Sequence, residues 1–366
     1  MEQEKKLRFG VIGTGEFTQA CHVPGLQSHP QAEVVALCGS EYDRVRTVAN
    51  RFGIADVHTD YRELCSRGDL DGVTIATPNA FHAQQTLSAF EHGKHVLCEK
   101  PLAIDVQEAE RMLYAAKSSG KVHQVAFTFR YGYAVRELRR RIQSGDIGQP
   151  YYLRIQYDSW KGLLSDWKVG WREERDLAGG GILYDLGIHL FDIARFVLGP
   201  IVTVTGFLQH LPRRRAHCFT SELTSVETDD IAAAWFCHES GVRGQWFISR
   251  ATPGYAENGY LEVVGPEGAL KAGLSRGSVD VLKVSRPERP DWEDLPLPVE
   301  ARDGKPHSLG IMMRSFVDAC LRGKIDGTVD ASFVDGLAAQ QAVAAVVEAN
   351  EHLTWVSLNR QLGRCE

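Results

Sequence analysis

Short apolar runs at 7–13, 33–38, 72–77, 95–98 and 122–127 are separated by stretches at 43–52, 80–91 and 106–118 whose apolar residues recur at helical spacing. Runs of the first kind predict strands, and the longer spacing predicts helices. Their alternation predicts a parallel sheet covered by helices on both faces, a Rossmann-type domain over 1–127.

After about residue 150 the period changes to two. The stretches 151–158 (YYLRIQYD) and 242–249 (VRGQWFIS) set apolar against more polar positions, as strands of an antiparallel sheet do. Further strands are expected at 202–208, 231–237, 260–264 and 279–284, with the turn Gly265-Pro266-Glu267-Gly268 among them. Two helices are expected near 308–321 and 332–350. The fold expected is an α/β Rossmann domain plus an α+β domain over 128–366, built on a large open, mainly antiparallel sheet. No repeat or low-complexity segment interrupts this plan.

At 366 residues the chain exceeds the size at which one core usually keeps growing, which agrees with two domains. A net charge of −6 leaves no electrostatic footprint for nucleic acid. Residues 1–8 are polar, with no apolar signal region, and no apolar run approaches membrane-spanning length. The eight cysteines are scattered, with no C-x-x-C pair for a zinc or redox site, so no metal is expected. They suit reduced thiols in a cytoplasmic protein.

Candidate chemistry begins at the end of the first strand. Gly13-Thr14-Gly15-Glu16-Phe17-Thr18 lies between strand and helix, where a G-x-G-x-x-G loop has mechanical meaning. Gly13 permits the tight turn, Gly15 lets a pyrophosphate approach the backbone, and the helix start supplies N–H donors. Thr18 replaces the third glycine, so the match is partial. At the end of the second strand, Gly39-Ser40 stands where an NAD site usually presents an acid. Ser40 with Arg44 or Arg46 suits a 2′-phosphate and favours NADP, while Glu41 or Asp43 can still reach a ribose.

Glu99-Lys100-Pro101 follows the strand 95–98, so Lys100 stands outside the carboxyl end of the sheet. A lysine there can orient an alcohol and exchange a proton; taken alone it is equally a loop lysine. The triple glycine Gly179-Gly180-Gly181 opens an apolar helix over 182–198. Asp185 and His189 are spaced i, i+4 on it, so both project from one face. An imidazole is the usual proton carrier in alcohol oxidation, and a carboxylate beside it fixes its tautomer or binds the hydroxyl. An isolated pair of this kind is also what a buried structural network looks like. Asp192 continues the stripe.

Taken in order, Gly13-Thr14-Gly15 with His22-Val23-Pro24, Thr77-Pro78-Asn79 with His82, Glu99-Lys100-Pro101, and Gly179-Gly180-Gly181 through Asp185, Gly187, His189 and Asp192 resemble the glucose-fructose oxidoreductase, inositol dehydrogenase and rhizopine-catabolism family, Gfo/Idh/MocA. The resemblance spans nearly the whole chain. It implies that Gly13, Gly15, Glu16 and Phe17 line the pyrophosphate and that Ser40 and Arg44 lie at the adenosine ribose. Thr77, Pro78, Asn79 and His82 would line the cofactor cleft, with Glu99 and Lys100 at the nicotinamide end. Lys100, Asp185 and His189 would be the catalytic trio, and the large sheet would pair subunits into a homodimer or homotetramer. Arg130, Tyr157, Trp160, Trp171 and Arg172 are further candidates for a sugar pocket, Arg130, Trp171 and Arg172 foremost. The expected activity is NAD(P)-dependent oxidation or reduction of a secondary hydroxyl on a sugar, inositol or sugar derivative, with a small sugar or cyclitol as partner and neither nucleic acid nor membrane. Two rivals are an enzyme that recycles a tightly bound cofactor, as in sugar–sugar oxidoreduction, epimerisation or glycoside cleavage, and a nucleotide-binding regulator without chemistry.

Overall fold

The computed structural model describes residues 6–164, 167–218, 220–254, 258–274, 280–302 and 307–358. They group into two units, Met1–Tyr131 with His307–Leu337, and Gly132–Pro306 with Ala338–Glu366.

The alternating pattern of the first unit folds into strands β1 (Leu7–Ile12), β2 (Ala32–Cys38), β3 (Asp56–His58), β4 (Gly72–Ile75), β5 (His95–Cys98) and β6 (His123–Val125). All pair in parallel, in the order β3-β2-β1-β4-β5-β6. Helices α1 (Val23–Gln27), α2 (Tyr42–Phe52), α3 (Tyr61–Ser66), α4 (His82–Glu91) and α5 (Val106–Ser119) connect them. Strand order reverses between β1 and β4, and such a switch point opens a crevice at the carboxyl ends of the strands. Gly13, Thr77 and Lys100 follow the ends of β1, β4 and β5.

The expected second domain began at 128 and ran to the end, but His307–Leu337 groups with the first unit. The reason is packing. In the helix His307–Arg322, Met312, Met313, Phe316 and Val317 are buried in one core with Phe9, Val11, Leu26 and Val34. Helix α1 comes so close that a Cβ at Gly25 would lie 2.5 Å from Met313 Cγ.

In the second unit α6 (Tyr133–Gln143) precedes β7 (Tyr152–Asp158); α7 (Arg175–Ala178) and α8 (Ile188–Leu198) follow, then β8 (Ile201–Gln209), β9 (Arg213–Ala216), β10 (Leu223–Val226), β11 (Ile231–His238) and β12 (Arg243–Ser249). The rest comprises β13 (Asn258–Gly265), β14 (Gly268–Leu274), β15 (Leu282–Arg286), β16 (Arg289–Asp294) and β17 (Val356–Ser357). Nine strands form one sheet in the order β16-β15-β14-β13-β7-β12-β11-β8-β17, antiparallel except between β7 and β12, and β9 and β10 form a separate hairpin. The strand expected at 279–284 is β15, residue 279 lying outside the described residues. Helix α8 covers one face, with Phe191 edge-on to Trp246 at 5.1 Å. On the other face Phe207, Trp235 and Phe247 stand 40%, 45% and 37% exposed on adjacent strands. No described helix is long and apolar enough to cross a membrane, and no disulfide joins the seven cysteines among the described residues.

Candidate active site

Gly13 leaves β1 with φ +121°, and a Cβ there would sit 2.3 Å from Ala76 O. Only glycine fits a turn pressed so closely against the backbone beyond β4. At Gly15 the opposite holds: no heavy atom lies within 4 Å of where a Cβ would be. The open backbone beside the start of a helix is the cradle that a dinucleotide pyrophosphate needs, and Gly13, Gly15, Glu16 and Phe17 would hold it. The helix is wound as a π turn over Thr18–His22 before α1, which the sequence pattern did not announce. Thr18, in the place of the third glycine, is fully buried in that turn. At the end of β2, Ser40 and Arg44 are exposed. Arg46 is engaged locally, donating to Ala55 O at 3.0 Å and stacking on Tyr42.

Lys100 is only 8% exposed, so its turn is held from inside. His22 Nε2 donates to Glu99 Oε1 at 3.0 Å, and Glu99 Oε2 accepts the Lys100 N–H at 3.3 Å. Burial pushes the Glu99 carboxyl up, but the His22 hydrogen bond and the charges of His22, Lys100 and His82 outweigh it and hold the group below its ordinary value. His82, expected to line the cleft, is instead fully buried beneath it. Its Nδ1 lies 2.8 Å from Pro101 O and its Nε2 3.0 Å from Thr77 O, so the ring ties the turn after β4 to the cis Lys100-Pro101 turn. Burial lowers its pKa, against the pull of both carbonyls, and a neutral imidazole donates to one carbonyl at a time. Thr77 Oγ1 donates to Gln85 Oε1 at 2.7 Å, and Asn79 is buried beside them. His22 belonged to the sequence motif yet not to the expected site; its partner stands 77 residues away, beyond any local signal.

In the second unit each of the three glycines has its own reason. Gly179 ends α7 with φ +81°, a Cβ at Gly180 would strike Tyr184 at 2.3 Å, and one at Gly181 would meet Asp229 O at 2.2 Å. The expected helix 182–198 opens as a π turn, Leu183–Gly187, and becomes α-helical only at Ile188. Asp185 therefore lies in the wide turn and His189 in the α-helix, and the two are not equivalent: the Asp185 side chain is 40% exposed, whereas His189 is 1% exposed. Single π turns recur at functional sites, and both of these fall on expected site segments.

Trp171, Arg172 and Asp185 come together. Arg172 Nε lies 3.8 Å from Asp185 Oδ1, and its guanidinium sits 4.5 Å from the Trp171 ring centroid. A half-exposed pair at this distance adds little stability, so its interest lies in what it offers a ligand. Two other expected pocket residues are buried in contacts of their own. Arg130 turns inward, 4% exposed, and pairs at 3.1 Å with Asp335 in the first turn of the helix Phe333–His352. Tyr157 packs on the covered side of β7 with Leu153 and Ile155. Trp160, just beyond β7, is 37% exposed.

Known proteins resemble this chain in sequence and fold. Residues 7–127 match the model of the oxidoreductase family with an NAD-binding Rossmann fold, and residues 135–271 match the GFO/IDH/MocA C-terminal domain. The chain is 32% identical over 263 residues to the 1,5-anhydro-D-fructose reductase of Ensifer adhaerens, covering 72% of this chain and 74% of that one. It is 29% identical over 366 residues to the levoglucosan dehydrogenase of Pseudarthrobacter phenanthrenivorans, with 90% of each covered. A solved levoglucosan dehydrogenase in complex with NADH superposes with a TM-score of 0.88 at 26% identity, over 96% of this chain and 99% of that one. The chain belongs to the GFO/IDH/MocA oxidoreductases, with the family's NAD-binding Rossmann fold in its first unit and the family's C-terminal domain in its second.

Proposed function

We propose that the protein is an NAD(P)-dependent dehydrogenase or reductase acting on a secondary hydroxyl of a sugar, inositol or sugar derivative, with Lys100, Asp185 and His189 as its reacting groups. The observation that carries this reading is the grouping of Trp171, Arg172 and the half-exposed Asp185 on segments leading to His189. An aromatic face beside a planar donor and a carboxylate acceptor suits a ring with apolar C–H faces and vicinal hydroxyls. Both relatives named above are called after anhydro sugars, which puts such rings first among candidates.

When bound, the nicotinamide supplies the hydride acceptor or donor. The protein's own work is positioning and proton handling. Oxidation releases the hydroxyl proton, which Lys100 or His189 takes up, and reduction returns it from the same group. Asp185 accepts a hydrogen bond from the substrate and orients it with Arg172 and Trp171; Trp160 is a further contact. Thr77, Pro78 and Asn79 would line the cofactor cleft, with Glu99 and Lys100 at its nicotinamide end. We take NADP as the preferred form, Ser40 and Arg44 receiving the 2′-phosphate, and a homodimer or homotetramer joined through the exposed sheet face.

The test is absorbance at the reduced-nicotinamide band while the purified protein meets a panel beginning with 1,5-anhydro-D-fructose and levoglucosan and continuing through pyranoses and inositols. Turnover of a polyol is the expected result. A protein that binds nucleotide and changes its redox state with no compound of the panel is not the dehydrogenase proposed.

A further inference from the structure

Three consecutive N–H groups at the start of the turn carrying Asp185 end on one residue. Asp229 Oδ1 accepts from Gly181 N at 2.8 Å, its Oδ2 accepts from Leu183 N at 2.8 Å, and its backbone carbonyl accepts from Ile182 N at 3.0 Å. These are the orphan donors of a helical start, and a carboxylate there also meets the positive end of the helix dipole. One acceptor suffices for a cap; here the whole residue is committed, across a sequence separation of 48 for Gly181. Gly181 is shaped to it, since a Cβ there would lie 2.2 Å from Asp229 O and 2.5 Å from Asp229 N.

Behind Asp229 stands Arg250. Its Nη2 donates to Asp229 O and to Thr228 Oγ1, both at 3.1 Å, its Nε to Asp230 Oδ1 at 2.7 Å, and its Nη1 to Glu173 Oε1 at 3.1 Å. Asp230 is further paired with Arg213. The other Glu173 oxygen accepts the Gly170 N–H at 3.0 Å and so closes the turn Trp171–Glu173. One guanidinium thus joins the segment bearing Trp171 and Arg172 to the residue that clamps the turn bearing Asp185. The Arg250, Asp230 and Glu173 side chains are 13%, 0% and 4% exposed, so charge-assisted bonds there are little screened by water.

We propose that Asp229, held by Arg250, is a positioning residue: it sets where Asp185 and His189 stand relative to Trp171 and Arg172, and acts on the reaction through them. The inference rests on the function proposed above. Asp229→Asn keeps the shape but turns an NH2 toward one of the amides that the carboxylate now accepts. Arg250→Lys keeps the charge and loses the planar fork that reaches four acceptors.

The experiment measures kcat and KM on the polyol that responds, per cofactor-binding site, together with amide hydrogen exchange. For Asp229→Asn the expected result is kcat lower by about 10- to 100-fold with the cofactor KM within about twofold, and faster exchange confined to 181–187. Arg250→Lys moves both readouts the same way by less. Unchanged kcat per site with a lowered Tm makes Asp229 a stabilising residue only and overturns the inference. Should the wild type turn over no polyol, the function reading falls and exchange alone decides. Selective loss of protection at 181–187 then supports the clamp, and unchanged protection overturns it.

Discussion

A methyl group added at Gly15 meets no protein atom within 4 Å, and the residue is not among the glycines with positive φ. Alanine can adopt that backbone, and removing glycine's freedom in the unfolded chain stabilises by about 0.4–1 kcal/mol. For a domain of this size that is a Tm rise of about 1–4 °C. The same methyl stands where a pyrophosphate would approach the N–H groups of the loop, so affinity for the nicotinamide nucleotide falls by about 100-fold, equivalent to about 2.7 kcal/mol. Gly13→Ala is the counterpart: its Cβ would be 2.3 Å from Ala76 O at φ +121°, inside any real Cβ contact. The forced backbone conformation costs about 1–3 kcal/mol, so Tm and affinity fall together. Fluorescence titration with the reduced nucleotide and a thermal melt on each variant give both numbers. Gly15→Ala binding within about twofold of the wild type would refute the cradle, because close backbone approach is what the missing side chain is for.

Three further outcomes are expected. Arg44→Ala should weaken NADP binding by about 10-fold and leave NAD within about twofold, measured by titration with each nucleotide; equal losses for both would remove Arg44 from the 2′-phosphate. Burial holds His82, His95, His123 and His238 below their ordinary value of 6.5. The unfolded chain therefore takes up protons first, and Tm should fall as pH drops from about 7 to about 5, with Glu99, held below its ordinary 4.5, extending the loss as pH falls through its lowered value. A Tm that is flat or rising toward acid would contradict those burial effects. If the exposed sheet face joins subunits as proposed, Trp235→Glu together with Phe247→Glu should lower the sedimenting mass to that of a monomer without lowering Tm, since both side chains lie on that face; an oligomeric wild type with unchanged mass in the variant would refute the proposed interface.

Much of the fold was legible because its signals are local. Buried parallel strands such as β4 and β5 read as unbroken apolar runs, and β7 and β12, covered on one side, read as period two. The three-residue β3 (Asp56–His58) carries too little apolar character to announce itself, and the exposed edge strand β16 (Arg289–Asp294) reads Arg-Pro-Asp-Trp-Glu-Asp. Other features depend on long-range packing that no window contains: the helix His307–Arg322 joining the first unit, the Arg130–Asp335 pair, and Asp229 reaching back to Gly181. The site followed the same division. Lys100, Asp185 and His189 stood out by residue type and position, whereas His22, Glu173 and Arg250 declare themselves only through their partners. The π turn Leu183–Gly187 that carries Asp185 was not legible, because nothing in its composition distinguishes a π turn from an α turn.

Lys100 is proposed to handle the substrate hydroxyl and not merely to pack its turn. The direct measurement is single-turnover absorbance of Lys100→Ala with a responsive polyol, beside its affinity for the reduced nucleotide. The expected result is a rate lower by about 10²–10⁴-fold with nucleotide affinity within about threefold of the wild type. Near-normal turnover in that variant would contradict it.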